Sequence, residues 1–94
     1  MIVAVCTLDL YLPGNTSLKG KRGLLRPLLA QLRRHFEIAA AEVEDQDHWQ
    51  SAQIALAVIS NEEGHAYTVL EQAVHWIENE YRAVEIVNWR VELR

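Results

Sequence analysis

The stretch LKGKRGLLRPLLAQLRRHF, residues 18–36, decides the fold, because the segments on either side can be ordered only once it is assigned. Leu18, Leu25, Leu28, Leu29, Leu32 and Phe36 fall on one face at about 100° per residue, the spacing of an amphipathic helix. Locally that helix is weak. Gly20 and Gly23 each cost about 1 kcal/mol against alanine, and an interior Pro27 costs about 3 kcal/mol. Burying six large apolar side chains returns about 9–18 kcal/mol before chain entropy is counted, so packing overrides propensity. Pro27 lies opposite the apolar stripe, where a kink faces solvent. The alternative starts the helix at Pro27 and leaves residues 19–23 as a loop. The pattern favours the longer, kinked helix, with Ser17 as its cap.

Upstream, residues 2–12 read as a strand. Cys6, Leu8, Leu10 and Leu12 alternate with Thr7, Asp9 and Tyr11, the period of a half-buried sheet. Pro13-Gly14-Asn15 makes a turn. Downstream, residues 37–43 and 52–60 read as strands, with a polar hairpin loop from Glu44 to Gln50 between them. Ser60 with Glu63 has the form of a capping box opening a second helix. Its inner face is Ala66, Val69, Leu70, Ala73, Val74, Ile77 and Tyr81. A last strand spans roughly 84–93, where Val87, Trp89, Val91 and Leu93 alternate with Asn88, Arg90 and Glu92. The order is β-α-β-β-α-β in 94 residues, which predicts one ferredoxin-like α+β sandwich. One four-stranded antiparallel sheet would carry both helices on a single face.

Charge is distributed unevenly. Residues 1–36 hold Lys19, Lys21, Arg22, Arg26, Arg33 and Arg34 against Asp9 alone, a charge of +5; residues 37–94 hold twelve acids against Arg82, Arg90 and Arg94, a charge of −9. The net −4 therefore conceals a strong polarity, and one surface is built to meet an anionic partner. Half the residues are hydrophobic, which is ordinary globular composition. A lone Cys6 among strand residues implies a reduced, buried thiol and no disulfide framework. No charged leader precedes the first strand and no apolar run approaches the roughly 18 residues of a membrane span. A cytoplasmic protein is expected.

Two blocks carry a resemblance. Leu12-Pro13-Gly14 followed by Ser17-Leu18-Lys19 and Lys21-Arg22 is one; Ala41-Glu42-Val43, Asp45-Gln46-Asp47, Trp49-Gln50 and Ala52 is the other. Together with Ser60-Asn61 they resemble the bacterial YlxP-like proteins, a domain of unknown function (family 503), over nearly the whole chain. The resemblance implies a ferredoxin-like fold. Because the genes of such proteins often lie beside those of translation initiation and ribosome maturation factors, it also implies association with RNA or ribosomes. Gly20 stands where an acidic residue is expected and Gly23 where a bulkier one is usual, which leaves the basic segment more flexible and more positive.

Each candidate site has a plainer reading beside it. Lys19, Arg22, Arg26 and Arg33 occupy a band about 60° wide on the helical wheel, with Lys21 and Arg34 flanking it. Such a row suits phosphate oxygens, with Gly20 and Gly23 admitting backbone amides. The plainer reading is a solvated helix face. The absence of any acid within 19–34 favours anion binding. Glu42, Asp45, Gln46, Asp47, Trp49 and Gln50 form a possible second surface. Glu42, Glu44, Asp45, Asp47 and His48 offer oxygen ligands to a hard cation, but without the glycine and glutamate spacing of a calcium loop no metal site is expected. Trp49 is expected to fold over the core edge.

A base-stacking platform on the sheet finds little support, since the outward residues would be Thr7, Asp9 and Tyr11 on the first strand and Gln53, Ala55 and Ala57 on the third. Ala39, Ala41, Ala55 and Ala57 make that face flat enough for a sheet-to-sheet homodimer, against the plainer reading of scattered surface alanine. No nucleophile motif, catalytic constellation or cofactor motif emerges. Ser17, Ser51 and Ser60 look like turn or cap residues, and His35, His48, His65 and His75 have no metal-ligand spacing with Cys6. The expectation is a non-catalytic protein that binds structured RNA or a ribosomal subunit through its basic first helix. The rival is an interaction or dimerisation module whose basic helix docks on an acidic protein.

Overall fold

A computed structural model of the chain describes residues 1–44 and 48–94. The described residues form β1 (Ile2–Tyr11), α1 (Leu18–His35), β2 (Ala39–Glu44), β3 (Ser51–Ser60), α2 (Glu63–Glu80) and β4 (Glu85–Leu93). The strands make one antiparallel sheet in the order β2-β3-β1-β4. Each helix therefore connects two strands that are separated by a third, and the β-α-β-β-α-β α+β fold stands as the sequence predicts. No helix among the described residues is long and apolar enough to cross a membrane.

Alternation decides which sheet face is covered. Ala4, Cys6, Leu8 and Leu10 of β1 pair with Val58, Leu56, Ile54 and Ala52 of β3, and all eight are buried. Leu25, Leu28, Leu29 and Leu32 of α1 and Ala66, Leu70, Ala73, Val74 and Ile77 of α2 join them in one core. The two helices approach the sheet differently. Ala66 and Ala73 let the α2 backbone come close to β1, β3 and β4, whereas α1 stands off on leucines and comes close to β2. Tyr81 bridges them, its hydroxyl donating to the Leu24 carbonyl at 2.6 Å.

α1 runs unbroken through Pro27, which is exposed on the solvent side. The proline removes one N–H, and the Gly23 carbonyl that would have accepted it is on an exposed residue, open to solvent. Ser17 caps the helix as expected, accepting from the Gly20 N–H at 2.9 Å.

Two local expectations are corrected. Ser60 and Glu63 do not form a capping box: α2 begins two residues later, after Glu62, and the Ser60 hydroxyl instead accepts from the Glu62 N–H at 3.1 Å in a tight turn leaving β3. In β4, Trp89, Val91 and Leu93 do oppose the inward residues of β1, but a register shift between Asp9 and Leu10 gives the next inner position to Ile86. Val87 becomes the extra residue of that bulge and is 69% exposed. A second shift, between Glu42 and Glu44, sits at the end of β2 beside the hairpin.

Candidate functional site

At one end of the sheet β1 finishes, α1 begins and the β2–β3 hairpin returns. Asn15 is buried there. Its side-chain amide donates to the Ser17 carbonyl at 2.7 Å and to the Trp49 carbonyl across 34 residues of chain. The Leu12 N–H donates to the Gln50 carbonyl at 2.9 Å, and the Lys21 ammonium donates to the His48 carbonyl at 2.9 Å. Three successive carbonyls of the hairpin, at residues 48, 49 and 50, are thus each held by the segment 12–21. The described residues of the two distinctive sequence blocks form a single structural unit.

Lys21 is the centre of that unit. It is 2% exposed, and its ammonium also lies 3.1 Å from Glu42 Oε2. The Glu42 oxygen is itself buried and accepts no well-directed hydrogen bond among the described residues, so the pair is held by charge rather than by ideal geometry. Gly20 completes the packing for a steric reason. A Cβ there would collide with Asn15 Oδ1, and Asn15 is pinned by its two amide bonds. The glycine serves space rather than flexibility, whereas Gly23 has open surroundings.

Lys21 is therefore removed from the predicted phosphate-binding row. The wheel already carried the signal: Lys21 falls about 200° from Lys19, inside the arc from Leu28 to Leu29, on the face that the leucines bury. Lys19, Arg22, Arg26 and Arg34 are exposed, and none is in an ion pair among the described residues. Lys19, Arg22 and Arg26 line a shallow groove with Gly23 and Pro27. Arg33 is exposed but tethered, its guanidinium donating to the Ala40 carbonyl of β2 at 2.6 Å. Arg82, from the corner between α2 and β4, lines a neighbouring hollow with Pro13, Gly14, Asn15, Gly20 and Leu24. It joins the basic end of the molecule from a part of the chain that the charge count assigns to the acidic half. The first turn of α1 holds no acid, so the positive end of the helix dipole adds to this field.

Only part of the acidic block can be placed. Glu42 is committed to Lys21, while Asp45, Gln46 and Asp47 lie outside the described residues. Trp49 does not fold over the core edge; it is 55% exposed and lines an open hollow with Tyr11, His48, Gln50 and Ser51. The reason is the staple: with its carbonyl turned inward to Asn15, the residue's side chain is left outside.

On the uncovered sheet face the outward residues are those predicted. Val5, Ala57 and Ala39 form one cross-strand row and Thr7, Ala55 and Ala41 the next. Asp9 accepts from Gln53 at 2.8 Å and lies 3.5 Å from Arg90. Cys6 is fully buried, and burial pushes its thiol from 9.0 to about 11 against a small opposing pull from Arg90. At neutral pH it is a packing group.

Fold and surface together define an α+β sandwich with a basic, partly stapled first helix. The chain belongs to the family described as "Protein of unknown function (DUF503)", which matches residues 3–91. No curated protein matches it. Among solved structures it is similar to the de novo designed protein Ferredog-Diesel, at 12% identity and a TM-score of 0.44, covering 96% of this chain and 83% of that one. It is also similar to LarC2, the C-terminal domain of a cyclometallase involved in the synthesis of the NPN cofactor of lactate racemase. That match has 11% identity and a TM-score of 0.43 and covers 100% of this chain and 56% of that one.

Proposed function

We propose that this protein binds RNA, as structured RNA or on a ribosomal subunit, through the outer face of α1. The observation that supports the reading is the exposed set Lys19, Arg22, Arg26 and Arg34, without acidic partners among the described residues, beside Arg82 and the open dipole end of the helix. Long, unpaired cations lining a groove meet phosphate oxygens without needing base contacts. The resemblance to bacterial YlxP-like proteins supports this reading, which takes the protein to act in the cytoplasm, near translation or ribosome maturation.

The test is binding of the pure protein to bacterial ribosomal RNA and to subunits across a salt series, beside the variant Lys19→Glu/Arg22→Glu/Arg26→Glu. Arg33 and Lys21 are left intact because each holds the fold. Three phosphate contacts predict a log–log salt slope of about −2 to −3, lost in the variant. Equal binding by both proteins would overturn the reading. Association that survives nuclease treatment would transfer the basic face to an acidic protein partner.

The uncovered rows Val5–Ala57–Ala39 and Thr7–Ala55–Ala41 support a second reading, a homodimer through the open sheet face, compatible with the first. Light scattering on the wild type and on Ala57→Arg tests it. A dimer that the arginine converts to monomer is the expected result.

A further inference from the structure

Residues 48–50, where the hairpin returns to β3, combine two opposed features. A buried lysine, a buried asparagine and a backbone amide fix the carbonyls of His48, Trp49 and Gln50, yet the side chain of Trp49 points to solvent. Isolated exposed tryptophans are unremarkable on flexible tips. Here the backbone beneath the ring is held in place, which is how a binding surface lowers the entropy of engagement. Tyr11, 39% exposed at the end of β1, lines the same hollow.

The lining chemistry restricts the occupant. Tyr11, His48, Trp49, Gln50 and Ser51 include no lysine, arginine, aspartate or glutamate. Glu85 lies opposite Tyr11 in β4. Among the described lining residues a phosphate meets no lysine or arginine. A neutral planar ring meets two aromatic side chains there, with the Gln50 amide oxygen and the Ser51 hydroxyl among the lining groups for its polar edge. The wall of this hollow is joined to the start of α1 by the Lys21–His48 bond and by Asn15, whose amide holds both the Ser17 and the Trp49 carbonyl, so the exposed Lys19 two residues further on is within reach of a strand that enters the hollow.

We infer that the hollow between Tyr11 and Trp49 receives an unstacked base of single-stranded RNA while the α1 cations hold the neighbouring phosphates. The inference rests on the RNA reading above and adds a base-binding site to it. Paired bases are already stacked on each other, so the hollow selects single strands. The staple of Asn15, Lys21 and Leu12 keeps it formed before the ligand arrives.

The probes are a fluorescein-labelled ten-nucleotide oligouridylate, an abasic ten-mer of equal charge and a ten-base-pair RNA duplex. Wild type should bind oligouridylate between about fivefold and a hundredfold more tightly than the abasic strand, with quenching of tryptophan emission. Trp49→Ala should lose that preference and the quench while keeping its melting temperature and salt slope; Trp49→Phe should restore part of the preference. Tyr11→Ala should show a smaller loss of the same kind. Equal binding of oligouridylate and abasic strand by wild type would overturn the base site. In that case loss of binding in Lys19→Glu/Arg22→Glu/Arg26→Glu would still uphold the phosphate surface. Absence of binding to all three probes and to ribosomal RNA would overturn both.

Discussion

The two helices have equal length, 18 residues each, and opposite construction. α2 follows the rules of a surface helix, with Ala66, Leu70, Ala73, Val74 and Ile77 inward and Glu78 and Glu80 among its exposed residues. α1 breaks them with Gly20, Pro27 and a buried Lys21. Those irregularities are not spread evenly. Gly20 and Lys21 both serve the contact with the hairpin tip, and Pro27 lines the cationic groove. α2 is explained by burial; α1 is explained only by what it holds and what it presents. Local inconsistency in a sequence points toward the working surface.

The sharpest break of this contrast is Lys21→Met. It leaves the Glu42 oxygen buried opposite no charge and the His48 carbonyl without its lysine donor. Glu42 retains partial solvent access, so the loss should be about 2–3 kcal/mol in chemical denaturation rather than the larger penalty of a sealed pair. Adding Glu42→Leu should recover part of it. A Lys21→Met protein as stable as wild type would mean that the lysine is only a passenger on the apolar face.

Alkaline unfolding probes the bridge between the helices and the sheet beneath them. Burial raises the Cys6 thiol from 9.0 to about 11 and raises the Tyr81 phenol above 10.0. Both groups are neutral in the fold and ionise first in the unfolded chain, so their effect is absent below 9.0 and stability falls as pH rises above it. Cys6 contributes about 1.4 kcal/mol of loss per pH unit between 9 and 11. Cys6→Ala should flatten that slope whatever its effect on stability at pH 7. Tyr81→Phe removes the donor to Leu24 and should cost about 1 kcal/mol at neutral pH, with a shallower decline above pH 10.

One chemical change made twice separates the two glycines. Gly20→Ala should destabilise by about 1–2 kcal/mol, because displacing Asn15 outweighs the gain in helix propensity. Gly23→Ala has room and should stabilise by about 0.5–1 kcal/mol. Thermal melts of both variants would check the pair; the same sign in both would show that the Asn15 contact is soft. The smallest effect belongs to α2. Glu78→Gln and Glu80→Gln should change stability by no more than about 0.5 kcal/mol and leave the salt slope for RNA unchanged.

How far the sequence could be read depended on how local the cause was. The inward faces of β1, β3 and α2 were legible because strict alternation and the 3.6-residue period are local properties. The upper part of β4 was not, since Val87 and Ile86 exchange roles only when a bulge forms against Asp9 and Leu10. At the candidate site, Lys19, Arg22, Arg26 and Arg34 were legible as exposed cations. The burial of Lys21 was not legible from its charge, which opposes its wheel position, and the outward Trp49 was not legible because nothing in its neighbours tells of Asn15. Arg82 carried no signal of its own: it reaches the basic end by folding.

By itself the sequence determined the order of elements, the covered face of the sheet and the segregation of cations onto α1, since each follows from a residue's chemistry and its spacing from near neighbours. Only the tertiary structure decided that one cation would be buried, that one glycine would be a steric necessity and that one tryptophan would be held outward. These outcomes depend on groups brought together from 27 to 34 residues apart, between Lys21 and His48 and between Asn15 and Trp49. Contact across that distance is set by the closing of the sheet, which no periodicity in the chain records.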